Sequence, residues 1–484
     1  MFGLEPRKSI LPNMIFLRIS LFSIFVPVIS GALGDPVDFF KRHRYEEASA
    51  LWEKEIPKSP PYDEKSLRAL KGLSMAYHLQ GRLYQRLHEF SMALLEEYYA
   101  GVLSEAGSPL TLYYLGQVQF QAEKYGLAAA SMEKAKKLGG GKVPESGDVF
   151  LAFARARQKK AEASISPKSI AAQWQVMDLM GALPSAIPAG LEADSPRARR
   201  CRLSILSRSP VPMIGEIGAA IRGVRQDAES PELSQDPGKN TQIDFYDPYL
   251  LESLSRAYLA LAKWSQVLLS EEEKRFPDLA QRFNTNRGLA EDCLLLGQFQ
   301  EGLNFLGEID KSVDARMIRA KLLGKMGKIA EAKDLLEGVF KESAKNPAVI
   351  RDVAECYYFL SIDADRGLQL AALALKEKDG STYYRVKAGL LMEKGQSSDA
   401  LLEYGKGYKI EFRNRIDQID PEYMLDYSFA IFLTNKMRYD EIVETMYHLQ
   451  KAFPACRQMH YAMQGISAAL ARGYEVQTIF RKGG

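Results

Sequence analysis

The chain is poor in the residues that build covalent and metal frameworks. Its 484 residues include only 4 Cys and 5 His. Cys201, Cys293, Cys356 and Cys456 are scattered, and none has a Cys-x-x-Cys partner, which excludes a disulfide scaffold and a zinc cluster. His43, His78, His88, His448 and His460 form no His-Glu-x-x-His pattern and no close pair, so neither a metal site nor a cofactor is expected. An excess of one charge is missing too. The 64 Lys+Arg against 61 Asp+Glu leave +3, which removes any general reason to expect nucleic acid as a partner. Gly-x-Ser-x-Gly, Walker A and dinucleotide-binding glycine motifs are absent, as are the strands they would follow. With 46% hydrophobic residues the chain still has the composition of a folded protein.

Among the features that are present, the first is at the N-terminus. Arg7, Lys8 and Arg18 precede an apolar stretch from Ile19 to Ile29, and small residues follow at Ser30, Gly31, Ala32 and Gly34. That order is the order of a secretory signal peptide over residues 1–34, with cleavage after Gly34 or Ala32. Met14 is an alternative start that leaves a compact signal. The apolar run is shorter than the roughly 20 residues that span a bilayer, and Pro27 interrupts it. Cleavage is therefore expected, and with it export to the periplasm or cell envelope and no stable membrane span in the mature chain.

A period then emerges along the chain. From Pro109 to Gly140, the residues Leu112, Leu115, Gly116, Tyr125, Ala128, Met132 and Ala135 set out two amphipathic helices with a turn near Glu123. The stretch YEEASALWEKEIPKSP places Tyr45, Ala48 and Trp52 on a second helix that Pro60 closes. Leu70, Leu73, Ser74 and Tyr77 precede a turn expected at Gly81, with Leu83, Phe90 and Ala93 after it. Later copies turn at Gly297, Gly327 and Gly395, and a weaker one spans Pro347 to Leu375. Phe429, Ala430 and Leu433 begin the last copy, which Pro454 closes.

These about seven units resemble the tetratricopeptide repeat, a helical hairpin of about 34 residues. The resemblance covers 35–140 and about 285–455 and implies an all-α fold, a tetratricopeptide-like α-solenoid. An N-terminal block is expected over 35–142 and a C-terminal block over 248–484, ending in a capping helix in MHYAMQGISAALARGYEVQTIF. Between them, 143–247 reads as an irregular helical region broken by prolines, with helices over 148–163, 168–181 and 212–225 and a flexible linker near 227–242.

In that family the groove lined by first helices binds extended peptides or helices of other proteins. The resemblance therefore implies a non-enzymatic protein-interaction scaffold whose partners are proteins or peptides. Projecting the first helices onto the groove selects Lys71, His78, Tyr113, Gln117, Gln121, Arg287, Glu291, Lys321, Lys325, Arg385, Glu393, Tyr427 and Asn435. Lys321 and Lys325, one turn apart, are the candidate anion contacts. The carboxylate clamp of the family's chaperone adaptors is incomplete, because Met75 stands one turn after Lys71 where Asn is required.

Two other classes compete with this reading. Soluble lytic transglycosylases are also exported helical superhelices with a Glu-Ser catalytic dipeptide, which Glu145-Ser146 matches, but their downstream Gly-Leu-Met-Gln segment is absent. Tetratricopeptide arrays also accompany polysaccharide export and secretion systems. The basic run from Arg197 to Arg202 reads as a solvated, flexible segment.

Overall fold

A computed structural model describes residues 35–57, 61–106, 109–139, 146–159, 196–211, 213–228, 248–307, 310–411 and 420–434. The chain divides into Met1–Asp35 and Pro36–Gly484, and every helix below belongs to the second unit. The expected signal peptide, the helix over 168–181, Glu145, Asn435, the capping helix and most of the linker fall outside the described residues.

The described residues are all-α and contain no strand. After two short helices, α1 (Pro36–Lys41) and α2 (Tyr45–Glu55), comes the long α3 (Glu64–Ala106). Next are α4 (Pro109–Gln121), α5 (Tyr125–Gly139) and α6 (Ser146–Gln158), then α7 (Pro196–Ser207) and α8 (Ile214–Ala228). The chain continues with α9 (Pro248–Glu273) and α10 (Pro277–Phe283). The regular hairpins follow: α11 (Thr285–Leu296) with α12 (Phe299–Leu306), α13 (Val313–Lys325) with α14 (Ile329–Glu342), and α15 (Pro347–Leu360) with α16 (Ala364–Glu377). The last pair is α17 (Ser381–Glu393) with α18 (Ser397–Glu411), and α19 (Pro421–Thr434) closes the described part. This is a solenoid of tetratricopeptide-like hairpins with less regular helices ahead of it.

Local chemistry sets the hairpin ends. Gly297, Gly327 and Gly395 take φ of +79°, +85° and +71°, a left-handed conformation that glycine adopts without strain, at the three turns expected from sequence. Glu123 makes the same turn at φ +59°. Ser312 caps α13 by accepting from the Ala315 N–H at 3.3 Å, and Asn346 caps α15 by accepting from the Ala348 N–H at 3.1 Å. Within the array each first helix packs on the next first helix: α11 on α13, α13 on α15, α15 on α17 and α17 on α19. The result is a row of first helices whose shared face is where a tetratricopeptide groove would lie.

The main departure from expectation is α3. No turn occurs at Gly81; one helix of 43 residues runs through it, about 65 Å at 1.5 Å per residue. The buried positions Leu70, Leu73, Tyr77, Gln80, Tyr84 and Leu87 alternate in steps of three and four across Gly81, so the helical phase never resets. Gly81 is a packing residue. A Cβ there would stand 2.6 Å from Leu259 Cγ on α9, too close for any other side chain, and Ser255 Oγ donates to the Gly81 carbonyl at 2.8 Å. Tyr84 and Tyr258 stack at 5.5 Å between centroids across this same interface. The partner of α9 is thus α3, and their contact is the most extensive between any two described helices.

The main hydrophobic core joins α2, α3, α7, α8 and α9 to α17–α19, so it crosses both boundaries expected near 142 and 247. The basic run forms α7 rather than a flexible segment, with Leu203 fully buried against that core. Smaller cores lie within α4–α6 and within the regular hairpins.

Candidate functional site

One face of α3 carries Lys71, Met75, His78, Arg82, Arg86 and Glu89, again in steps of three and four. This polar stripe is turned toward the row of first helices. His78 Nδ1 lies 2.6 Å from Asp292 Oδ1 on α11. Arg82 Nη2 donates to Glu422 Oε2 at 2.8 Å, and Arg86 Nη2 meets Asp426 Oδ1 at 3.0 Å, both on α19. Phe90 meets Phe429 edge to face at 5.7 Å. The face at which a peptide was expected therefore already looks onto the chain's own long helix.

At the α11 end the contact is closed. Asp292 is 0% exposed, and its second oxygen accepts from Gln266 Nε2 at 2.8 Å. Burial works against charge on the His78 imidazole, but the Asp292 carboxylate outweighs it and holds His78 above its usual value. Burial also pushes the Asp292 carboxyl up, with His78 opposing. Both groups thus hold their protons to higher pH than they would in water. Beside them, burial pulls the Lys71 ammonium below its usual value, and Glu273, Asp292 and Glu291 only partly offset this.

Near α19 the contact is a network around Arg385. Its guanidinium, with a side chain 13% exposed, donates to Glu355 Oε1 at 3.0 Å and Glu422 Oε2 at 3.3 Å, and lies 3.9 Å from Asp426. Against the cost of burial, Arg385 and neighbouring cations hold the carboxyls of Glu355 and Glu422 below the usual range. Burial prevails at Asp426 and Asp420, whose carboxyls are pushed up. Burial also opposes charge on Lys321, yet Cys356, Glu355 and Glu291 raise it above its usual value. The network borders a cavity of about 320 Å³ where the start of α2 and the middle of α3 meet α15, α17 and the N-terminus of α19. Arg82, Arg351, Arg385, Glu355, Asp420 and Glu422 provide its charged wall, and Leu79, Leu83, Val386 and Pro421 its apolar one.

Of the residues selected from sequence, Lys71, His78, Glu291, Lys321 and Arg385 come together along this contact. The rest are elsewhere or differently engaged. Tyr113 is 1% exposed, packs edge-on against Phe150 and accepts from Gln117 Nε2 at 2.7 Å, so both serve the α4–α6 core rather than an open groove. Arg287 pairs with Asp314 at 2.7 Å and Asp310 at 3.4 Å on the way to the next hairpin. Tyr427 is buried against Tyr404 and Tyr408. Lys325 is exposed, 4.7 Å over the Phe359 ring, and Glu393 accepts from Ser361 Oγ at 2.7 Å. Gln121 ends α4, and Asn435 lies outside the described residues.

The sequence reading missed Arg82, Arg86, Asp292, Glu355, Asp420, Glu422 and Asp426. Their signal was the i, i+4 pair Arg82/Arg86, legible only once α3 is continuous. Cys293 and Cys356 are buried, and burial pushes their thiols up to about 12 and about 11, which leaves them unreactive. Among the described residues no three His, Cys, Asp or Glu side chains converge as metal ligands, and no helix is long and apolar enough to cross a membrane.

No protein-family profile matches the sequence, and none of the curated proteins matches it. Solved structures resemble it at low identity. The crystal structure of yeast Tom70 is 14% identical, with a TM-score of 0.35 over 90% of this chain and 94% of that one. The Cut9–Hcn1 hetero-tetramer of the APC/C is 12% identical, with a TM-score of 0.30 over 90% and 95%. The TPR domain of P58(IPK) is 17% identical, with a TM-score of 0.17 over 76% of this chain and 98% of that one. At such scores these likenesses add nothing to the hairpin architecture that the chain itself displays.

Proposed function

We propose that this is an exported bacterial protein of the periplasm or cell envelope that acts as a non-enzymatic scaffold, binding peptide or helical segments of partner proteins. The observation that carries the reading is the convergence of the α3 stripe and the row of first helices on a charged, solvent-reaching cavity. Small-molecule and peptide sites are concave, with a few placed polar groups on an apolar wall, and this cavity has that composition. The signal-like order of residues 1–34 supports export.

The test is affinity capture from an envelope fraction with the wild-type chain and with Lys321→Glu plus Lys325→Glu, helicity being checked by circular dichroism. A partner held by the wild type and lost by the double variant supports the scaffold; equal capture by both removes this face from the reading. N-terminal sequencing of the secreted protein should begin at Asp35 or Leu33, and a start at Met1 or Met14 would overturn export with cleavage. Clearing of peptidoglycan in a zymogram, abolished by Glu145→Gln, would replace the scaffold by a lyase.

A further inference from the structure

The cavity is unbalanced in which of its groups already have partners. Each guanidinium on its wall faces a carboxylate: Arg82 meets Glu422, Arg385 meets Glu355 and Glu422, and Arg351 meets Asp352 with its Nε at 2.8 Å. The carboxylates are not equally occupied. Glu355 engages Arg385 through Oε1 alone, and Glu422 takes both of its arginines on Oε2. Asp420 accepts only the Glu422 backbone N–H, at 3.0 Å on Oδ1, and has no cation within ion-pair distance among the described residues. An incoming anion would have to break an existing pair, whereas an incoming cation meets three open carboxylate oxygens. The apolar residues Leu79, Leu83 and Val386 offer a wall for a methylene stem.

We propose that this cavity receives the guanidinium or ammonium head of an Arg or Lys side chain from a partner polypeptide, with Asp420 as its principal anchor and Glu355 and Glu422 accepting its remaining protons. The proposal deepens the scaffold reading and rests on it. Burial pushes the Asp420 carboxyl up although Arg385 and His43 oppose it, so the counter-charge already present does not fully compensate this carboxylate. The partner contribution is a side chain rather than a backbone segment, because about 320 Å³ holds one long side chain and not a helix.

Isothermal titration of the purified chain with acetylated, amidated Gly-Gly-X-Gly-Gly peptides tests this, with X as Arg, Lys, Glu or citrulline, the uncharged isostere of Arg. Arg and Lys peptides should bind at least about tenfold tighter than citrulline, the scale of one charged hydrogen bond. Asp420→Asn should erase that difference while leaving the melting temperature unchanged, since Asn caps a helix as well as Asp. Equal affinity for Arg and citrulline, tighter binding of the Glu peptide, an unaffected Asp420→Asn variant or no binding at millimolar peptide would each overturn the assignment. Agmatine binding as tightly as the Arg peptide would overturn the partner side chain in favour of a free amine. If Asp420→Asn still captures an envelope partner like the wild type, the scaffold stands and the cation pocket falls.

Discussion

The two ends of the contact between α3 and the first helices are built differently. At the α11 end, a single His–Asp pair has its carboxylate fully buried, and the second oxygen of Asp292 is satisfied by Gln266. Toward α19, three carboxylates and three arginines line a cavity, with carboxylate oxygens left over. A closed, saturated pair does little except hold two elements in register. An open, unsaturated cluster of the same residue types is a place where something else completes the set. Saturation, not residue identity, separates a structural ion pair from a binding site.

The contrast breaks if residues at the two ends respond alike. Arg385 is the one member of the open end that should behave like the closed end, because three carboxylates depend on it. Arg385→Met should cost about 5 kcal/mol in denaturant unfolding, the upper range for stranding buried charges. His78→Ala should cost about 3 kcal/mol by the same measurement, since it strands the fully buried Asp292. Gly81→Ala forces Leu259 and the α9 backbone away from α3 and should cost about 1–3 kcal/mol. Asp420→Asn should change stability by less than about 0.5 kcal/mol while affecting binding.

The pH response sharpens the comparison further. His78 has a folded value above its usual 6.5, so the folded state keeps the proton longer than the unfolded one. Its contribution is whole below about pH 6.5 and is lost as pH rises through the raised folded value, and the upward shift of Asp292 acts in the same direction. Unfolding titrations should show stability falling as pH climbs above about 6.5, with the slope flattened in His78→Gln. A slope unchanged in that variant would place the titration elsewhere.

The hairpins were legible in the sequence because their signals are local. Gly297, Gly327 and Gly395 carry the left-handed turn, and small residues such as Ala290, Ala320 and Ala388 mark close helix packing at 0% exposure. The same local rule misread Gly81, where a glycine serves a neighbour 178 positions away rather than its own turn. The alternation of Leu70, Leu73, Tyr77, Tyr84 and Leu87 held the right answer. Helix faces alone place Lys71, His78, Glu291, Lys321 and Arg385 on the sides that meet along this contact. Their partners were not legible, because which carboxylate meets Arg82 or Arg385 depends on α3 lying across the row of first helices, and no repeat pattern encodes that placement. Tyr113 and Tyr427 show the reverse failure: a first-helix aromatic reads the same whether it lines a groove or packs a core.

A double-mutant cycle on His78→Ala and Asp292→Ala, measured by urea unfolding, tests the central claim that α3 lies continuously against the first helices. The two residues are 214 positions apart, so nothing but this placement couples them. The account predicts a coupling of about 1–3 kcal/mol, with the double variant more stable than the sum of the single losses allows. Losses that add to within about 0.3–0.5 kcal/mol would contradict it.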